Sequence, residues 1–292
     1  MPSRLCRIPP LENNISIADT VLASPAAVTN QTLSRNTKAV LHLSHRDEPE
    51  VPPGTLYAQA AKRLRPLDLP CLNALRGRRV ILASASPRRR QLLAQVGLTN
   101  VDVVPSDFAE DLDKSKYTAI EYVLETAQEK CRSVYKEEID SDDEPALVIA
   151  ADTIICSYLG GIIEKPLSFR DHVDMLKSLR DSEPHKVITA VSVMAPLADG
   201  AAPGYASDTH VEETIVKFDK TVTDELIESY VRTGEGADKA GGYGIQGLGT
   251  ILVESITGSY DNVVGLPLRG TLKAIEAVMF PEEAGDEHDI VL

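Results

Sequence analysis

The most regular stretch of the chain, residues 80–93, reads Val-Ile-Leu-Ala-Ser-Ala-Ser-Pro-Arg-Arg-Arg-Gln-Leu-Leu. Its short apolar start is typical of a buried β-strand. In the turn that follows, Ser86 suits the N-cap position of a helix and Pro87 suits its first helical position. We therefore predict a strand, a tight hydroxyl-rich turn and a helix that ends at Gly97.

Three arginines, Arg88, Arg89 and Arg90, stand at the N-terminus of this predicted helix. The helix dipole makes this end positive, so cations are unfavourable there unless an anion is bound. Backbone N–H groups, the hydroxyls of Ser84 and Ser86 and the guanidinium groups together would form a site for a polyphosphate. The alternative is that the arginines form only a solvated face.

The composition of the 292-residue chain is that of a globular protein with room for a sizeable core. Its net charge of −14 argues against general nucleic-acid binding. No apolar run reaches the roughly 18 residues of a membrane span. The four cysteines are scattered, which favours a reducing compartment, and we expect a cytoplasmic protein. The histidines lack the spacing of metal ligands, so any metal would be a hard cation held by oxygen atoms.

The chain divides into three predicted regions. Residues 1–77 show little periodicity, and we predict a disordered extension there, with a transit peptide as the alternative. Strand and helix patterns alternate over residues 78–280, which predicts one α/β domain in which Ser168 and Thr223 cap two helices. Residues 281–292 form an acidic tail. A Pro/Gly/Ala-rich segment, residues 196–205, predicts a surface insertion within the domain.

Carboxylates follow two of the predicted strands. An apolar strand over residues 146–151 ends at Asp152, and a second strand is predicted over residues 154–158. The ends of strands are where α/β sheets present functional groups to a crevice, so Asp152 can hold Mg²⁺ or orient water. A turn-capping role is the alternative. Glu110, in the loop after the second predicted strand, is a further candidate oxygen ligand.

The segment over residues 234–249 contains seven glycines, which lets backbone approach a ligand closely. Together with Lys130, Lys165 and Gln246, the arginine turn and the carboxylates describe a site for a nucleoside triphosphate. Its phosphates would meet the basic groups and its base would meet Gln246. The chain has neither a P-loop motif nor a dinucleotide fingerprint after its first strand.

Five motifs resemble, in order and spacing, those of the Maf family of nucleoside triphosphate pyrophosphatases. They are Ser84-Ala-Ser-Pro-Arg-Arg, Ala151-Asp-Thr, Glu164-Lys-Pro, Asp238-Lys-Ala-Gly-Gly-Tyr-Gly-Ile-Gln-Gly and Asn262-Val-Val-Gly-Leu-Pro-Leu. The resemblance implies a fold like that of the inosine triphosphate pyrophosphatases: a two-lobed, mixed, twisted sheet with flanking helices, in a homodimer. It also implies hydrolysis of a nucleoside triphosphate to the monophosphate and pyrophosphate with Mg²⁺ or Mn²⁺.

The same resemblance assigns roles to individual residues. Asp152 would be the general base, and Glu110 with Asp152 would hold the metal. The phosphate-binding set would be Ser84, Arg88, Arg89, Lys130 and Lys165, while Arg88, Thr153 and Gln246 would govern substrate choice. The Tyr-Gly-Ile-Gln-Gly sequence resembles the branch acting on dTTP and UTP. A 7-methyl-GTP specificity, or a nucleotide-sensing role in cell division with little turnover, are the alternatives.

Overall fold

The structure, a computed structural model, describes residues 67–197 and 203–280. Its helices are α1 (Pro70–Ala74), α2 (Pro87–Gln95), α3 (Ala119–Glu138), α4 (Phe169–Asp181), α5 (Asp224–Arg232), α6 (Tyr260–Val264) and α7 (Leu268–Met279). Its strands are β1 (Val80–Leu82), β2 (Val101–Val103), β3 (Leu147–Cys156), β4 (Ile162–Ile163), β5 (His185–Pro196), β6 (Tyr205–Phe218) and β7 (Val253–Thr257).

The strands form one seven-stranded mixed sheet in the order β2-β1-β3-β5-β6-β7, with β4 paired to β3. Strand β1 runs parallel to both β2 and β3, and the other pairings are antiparallel. The predicted α/β class, with a mixed sheet flanked by helices, is therefore confirmed.

Residues 80–97 fold as their sequence predicts. All three residues of β1 are buried, α2 starts at Pro87, and Gly97 follows the helix with a φ of 104°. That positive φ is open to glycine at little cost. Ser86 occupies the N-cap position with extended backbone angles, but its hydroxyl makes no capping hydrogen bond. The first-turn N–H groups of α2 therefore receive no side-chain cap.

Helices cover both faces of the sheet. On one face lies the apolar stripe of α3, whose Val123, Ala127, Cys131 and Val134 are fully buried. On the other face lie α2 and α7, whose Leu93 and Ile275 pack with β1 and β3 in a second cluster. A capping box between Thr118 and Glu121 fixes the start of α3. The predicted caps Ser168 and Thr223 are confirmed, because each hydroxyl accepts an N–H three residues on.

One predicted strand boundary was wrong. We expected a strand to end at Asp152 and another to begin after Thr153, but β3 runs without interruption from Leu147 to Cys156. The ladder continues because Asp152 and Thr153 pair with Ala190 and Thr189 of β5. Asp152 therefore lies in the middle of a strand, and its placement at a strand end does not hold.

The packed region begins before residue 78. Helix α1 buries Cys71 and Leu72 in the same cluster as α7. The rest of the predicted extension, residues 1–66, lies outside the described residues, as do residues 198–202 of the predicted insertion and the tail over 281–292. None of the described helices combines the length and apolar character that a bilayer crossing requires.

Candidate active site

A cleft of ≈ 220 Å³ opens beside a stretch of β3 that no described strand pairs with along one edge. Strand β1 pairs with β3 only as far as Ile149, and β4 begins to pair with it at Ile155. Between these points the edge of β3 faces the cleft. Successive strand residues point to opposite faces of a sheet, so Asp152 and its neighbour Thr153 reach the cleft from opposite sides. The cleft thus wraps around the open edge.

On the α3 side, one lysine joins two carboxylates. Lys130, on α3, donates a hydrogen bond from Nζ to Oδ1 of Asp152 at 2.8 Å. The same Nζ lies 2.7 Å from Oε1 of Glu110, in the loop after β2. Lys130 and Asp152 are each only 8% exposed. Because two carboxylates surround one ammonium group, this trio carries a net charge of −1.

The charges around Glu110 act on its ionisation. Burial raises the pKa of the Glu110 carboxyl, but the hydrogen bond from Lys130 and the charges of Lys130, Lys165 and Arg89 outweigh it. The net effect holds the pKa below its ordinary value, so Glu110 stays ionised near neutral pH. The Glu110 carboxylate is then available to a cation in this part of the cleft.

On the opposite face, Arg89 ties three segments together. Its Nη1 donates to Oγ of Ser84 at 3.0 Å, its Nη2 to Oγ1 of Thr153 at 3.0 Å, and its Nε to the carbonyl of Gly265 at 2.8 Å. Burial lowers the pKa of the Arg89 guanidinium from its ordinary value, and the negative charge of Asp152 opposes this effect. The three hydrogen bonds use much of the donor capacity of Arg89 for contacts within the protein.

Two cations of the cleft have no such partners. Within residues 67–197 and 203–280, neither Arg88 nor Lys165 forms an ion pair, and Nε of Arg88 is buried without a hydrogen-bond partner. Lys239, by contrast, is held by Asp238 at 2.6 Å and by the carbonyl of Glu235. A buried, unsatisfied guanidinium N–H is costly, so Arg88 is suited to an incoming anion.

The structure brings most of the predicted site residues together. Those that line the cleft are Arg88, Arg89, Glu110, Lys130, Asp152, Thr153, Lys165 and Gln246. Ser84 does not line it. Its hydroxyl lies behind Arg89 and accepts hydrogen bonds from Arg89 and from the backbone N–H of Ser86, and Ser86 itself faces the cleft.

The apolar wall of the cleft was not predicted from the sequence. Ile155, Val187, Val263 and Tyr243 come from four separate segments of the chain. The Tyr243 hydroxyl lies 2.8 Å from Nε2 of His185, a buried residue at the start of β5. Tyr243 and Val263 lie within two of the quoted motifs, whereas Ile155 and Val187 do not, and only the packing of the sheet brings the four residues together.

A mixed α/β domain whose cleft offers cations without an ion-pair partner in the described part of the chain, beside two carboxylates, is typical of proteins that bind polyphosphate anions. The sequence profile of the family described as Maf-like protein matches residues 79–278, and this chain belongs to that family.

Three relatives carry related descriptions. The dTTP/UTP pyrophosphatase of Schizosaccharomyces pombe is 51% identical over 214 residues, which cover 73% of this chain and 87% of that protein. The dTTP/UTP pyrophosphatase of Saccharomyces cerevisiae is 38% identical, covering 68% of this chain and 89% of that protein. The human protein described as a probable bifunctional dTTP/UTP pyrophosphatase/methyltransferase is 42% identical over 74% of this chain, but only 35% of that longer protein is matched.

Proposed function

We propose that this chain hydrolyses nucleoside triphosphates, with dTTP and UTP as its substrates, to the monophosphate and pyrophosphate. The relatives described as dTTP/UTP pyrophosphatases support this activity. The observation that carries it is that Arg88 and Lys165, which form no ion pair with any described residue, line the same cleft as Asp152. An anion-binding group and a water-activating group must lie side by side for this reaction.

The triphosphate would bind to the cationic side of the cleft. Arg88 and Lys165 can donate charge-assisted hydrogen bonds to phosphate oxygens, and the uncapped N-terminus of α2 adds backbone N–H groups. The same donors would stabilise the negative charge that develops on the departing pyrophosphate. Arg89 would act mainly by holding the first turn, β3 and Gly265 in register.

Asp152 would orient the attacking water and accept its proton. The water oxygen would bond to the α-phosphorus while the bond from that phosphorus to the α–β bridging oxygen breaks, which releases pyrophosphate. Lys130 fixes one oxygen of Asp152, and among the described residues this is the one hydrogen bond recorded for that carboxylate. The other oxygen is therefore the one that would meet the water.

The donor set also fits a divalent cation brought in with the substrate. Within the described part of the chain, no group of three or more His, Cys, Asp or Glu side chains is arranged to hold a metal. Glu110 and Asp152 offer two carboxylates beside a single ammonium group, and Mg²⁺ is commonly held by one or two carboxylates plus substrate phosphates. When bound, such an ion would neutralise phosphate charge.

Gln246 would meet the base. Its exposed side chain lines the rim of the cleft, and its amide has both donors and acceptors to match the imide edge of thymine or uracil. Thr153 is already hydrogen-bonded to Arg89 and to Thr189, so its influence on substrate choice would act through the position of Arg89. The roles of Arg88 and Thr153 in selectivity stay predictions.

Pyrophosphate release by the purified protein tests the proposal, with dTTP, UTP, CTP, ATP, GTP and 7-methyl-GTP in the presence of Mg²⁺ or Mn²⁺. We expect dTTP and UTP to be preferred and a chelator to abolish turnover. Preference for 7-methyl-GTP would support the proposed hydrolysis but contradict dTTP and UTP as the substrates. Tight nucleotide binding without turnover would instead favour a nucleotide-sensing protein.

Homodimer formation and a cytoplasmic location also stay predictions. The three cysteines of the described region, Cys71, Cys131 and Cys156, are buried free thiols, in keeping with a reducing compartment. Light scattering of the purified protein would measure its oligomeric state.

A further inference from the structure

Two side chains, those of Tyr230 and Glu235, hold both ends of the short segment from Gly244 to Gly249, which carries Gln246. The Tyr230 hydroxyl, on α5, accepts the N–H of Gly244 at 3.2 Å and donates to Oε1 of Glu235 at 3.3 Å. The Glu235 carboxylate then accepts the N–H of Leu248 at 2.7 Å through Oε2 and the N–H of Gly249 at 3.0 Å through Oε1.

The glycine sequence of this segment fits the carboxylate closely. A Cβ added at Gly247 would lie 2.4 Å from Oε2 of Glu235, and one at Gly249 would lie 2.7 Å from the carbonyl oxygen of Gly244. No side chain larger than hydrogen can occupy either position without displacing its neighbour. Lys239 also donates to the Glu235 backbone carbonyl, which fixes the residue at a second point.

Glu235 holds this position as a charged group. Burial raises the pKa of its carboxyl, but the N–H groups of Gly249 and Leu248 and the Tyr230 hydroxyl lower it by more. Hydrogen bonds to an ionised acceptor are stronger than those between neutral groups. A segment with glycines at 244, 247 and 249 would otherwise be free to adopt many conformations.

We propose that Glu235 is the positioning residue for Gln246, holding the segment from Gly244 to Gly249 so that the Gln246 amide faces the base of the substrate. This inference rests on the proposed function and deepens it. Glu235 itself is absent from the lining of the cleft, and it acts through the backbone on either side of Gln246. Glu235 would therefore affect which nucleotide base the enzyme recognises and not the hydrolysis step.

Replacing Glu235 with Gln tests the inference. The substitution keeps the size of the side chain but exchanges one acceptor oxygen for an NH₂ donor, so one of the two backbone N–H groups loses its partner. We expect KM for UTP to rise about tenfold while kcat changes little, because the interaction lost is with the base and not with the transition state.

A double-variant cycle separates positioning from general damage. If Glu235 acts through Gln246, Glu235→Gln should raise KM for UTP much less in a Gln246→Ala background than in the wild type. Glu228→Gln, which breaks an exposed ion pair with Arg232 on α5, is the matched control and should leave KM unchanged. Tyr230→Phe removes only the hydroxyl and should raise KM for UTP by less than Glu235→Gln does. This second variant keeps the test usable if Glu235→Gln does not fold.

The outcomes are distinct. A selective rise in KM that disappears without Gln246 supports the inference. An equal loss of kcat with every triphosphate, additive with Gln246→Ala, or an unchanged KM would overturn it and leave the proposed hydrolysis in place. A wild-type protein that turns over none of the triphosphates would overturn the proposed function, and the role of Glu235 with it.

Discussion

Asp152→Asn separates the chemical role of the cleft from its structural one. The substitution removes one negative charge but keeps the shape of the side chain. It also keeps an Oδ1 that can accept the hydrogen bond from Lys130, which is 2.8 Å long in the wild type. The amide cannot take a proton from water. Turnover of dTTP should therefore fall by about 100- to 10,000-fold, the usual contribution of a general base.

The effect on stability should be much smaller. Removing the sole partner of a buried charge costs about 3–5 kcal/mol. Lys130, however, keeps Glu110 at 2.7 Å, so its ammonium stays paired after the substitution. We therefore expect the free energy of unfolding to fall by only about 1 kcal/mol, the difference between a hydrogen bond to a charged acceptor and one to a neutral acceptor.

Two measurements on one preparation check this reasoning. Pyrophosphate release gives kcat, and urea denaturation gives the free energy of unfolding. Asp111→Asn, one residue from Glu110 at an exposed position, is the control and should behave like the wild type. A folded Asp152→Asn protein with near-normal kcat would refute the assignment of the general base. A stability loss of about 3–5 kcal/mol, the range for an unpaired buried charge, would show that Glu110 does not support Lys130.

The remaining predictions concern the folded domain. Removing residues 1–66 should leave both activity and melting temperature unchanged, whereas removing residues 1–77 also deletes α1 from its contact with α7 and should lower the melting temperature. Burial lowers the pKa of His185 to about 4 from 6.5, so the unfolded chain takes up a proton first as pH falls. Between pH 7 and pH 5, the free energy of unfolding of the wild type should thus fall by about 2 kcal/mol more than that of His185→Gln. If the free energies of unfolding of the two proteins changed in parallel with pH, this prediction would be wrong. Gly236→Ala would place a Cβ 1.9 Å from the Gly242 carbonyl oxygen and should destabilise the fold by about 1–3 kcal/mol in thermal melts. The control Gly161→Ala, whose Cβ meets only a side-chain oxygen at 3.4 Å, should have little effect.

Local signals in the sequence were sufficient for much of the fold. The apolar run over residues 80–82, the Ser-Pro turn and Gly97 predicted β1 and α2. The caps Ser168 and Thr223 predicted the starts of α4 and α5. Each of these features depends on hydrogen bonds or steric limits within a few residues of the chain, which is why they can be recognised without knowing the tertiary structure.

Most residues of the candidate site could also be named from the sequence, but the partners of each side chain could not. The sequence grouped Ser84, Arg88 and Arg89 as phosphate ligands. In the structure, Arg89 is hydrogen-bonded to Ser84, Thr153 and the Gly265 carbonyl, while Arg88 keeps a buried Nε without a partner among the described residues. These partners are distant in sequence, so no local pattern could distinguish the two neighbouring arginines.

The sequence alone determined which residue types are present: basic groups after a first strand, carboxylates near a second and a glycine-rich segment with Gln246. Only the tertiary structure decided that Asp152 lies in mid-strand, that β1 and β4 leave an open edge beside it, and that Glu235 holds the Gln246 segment. The physical reason is that caps and turns are satisfied by near neighbours. Strand pairing, ion pairs and buried hydrogen bonds depend on which distant segments pack together.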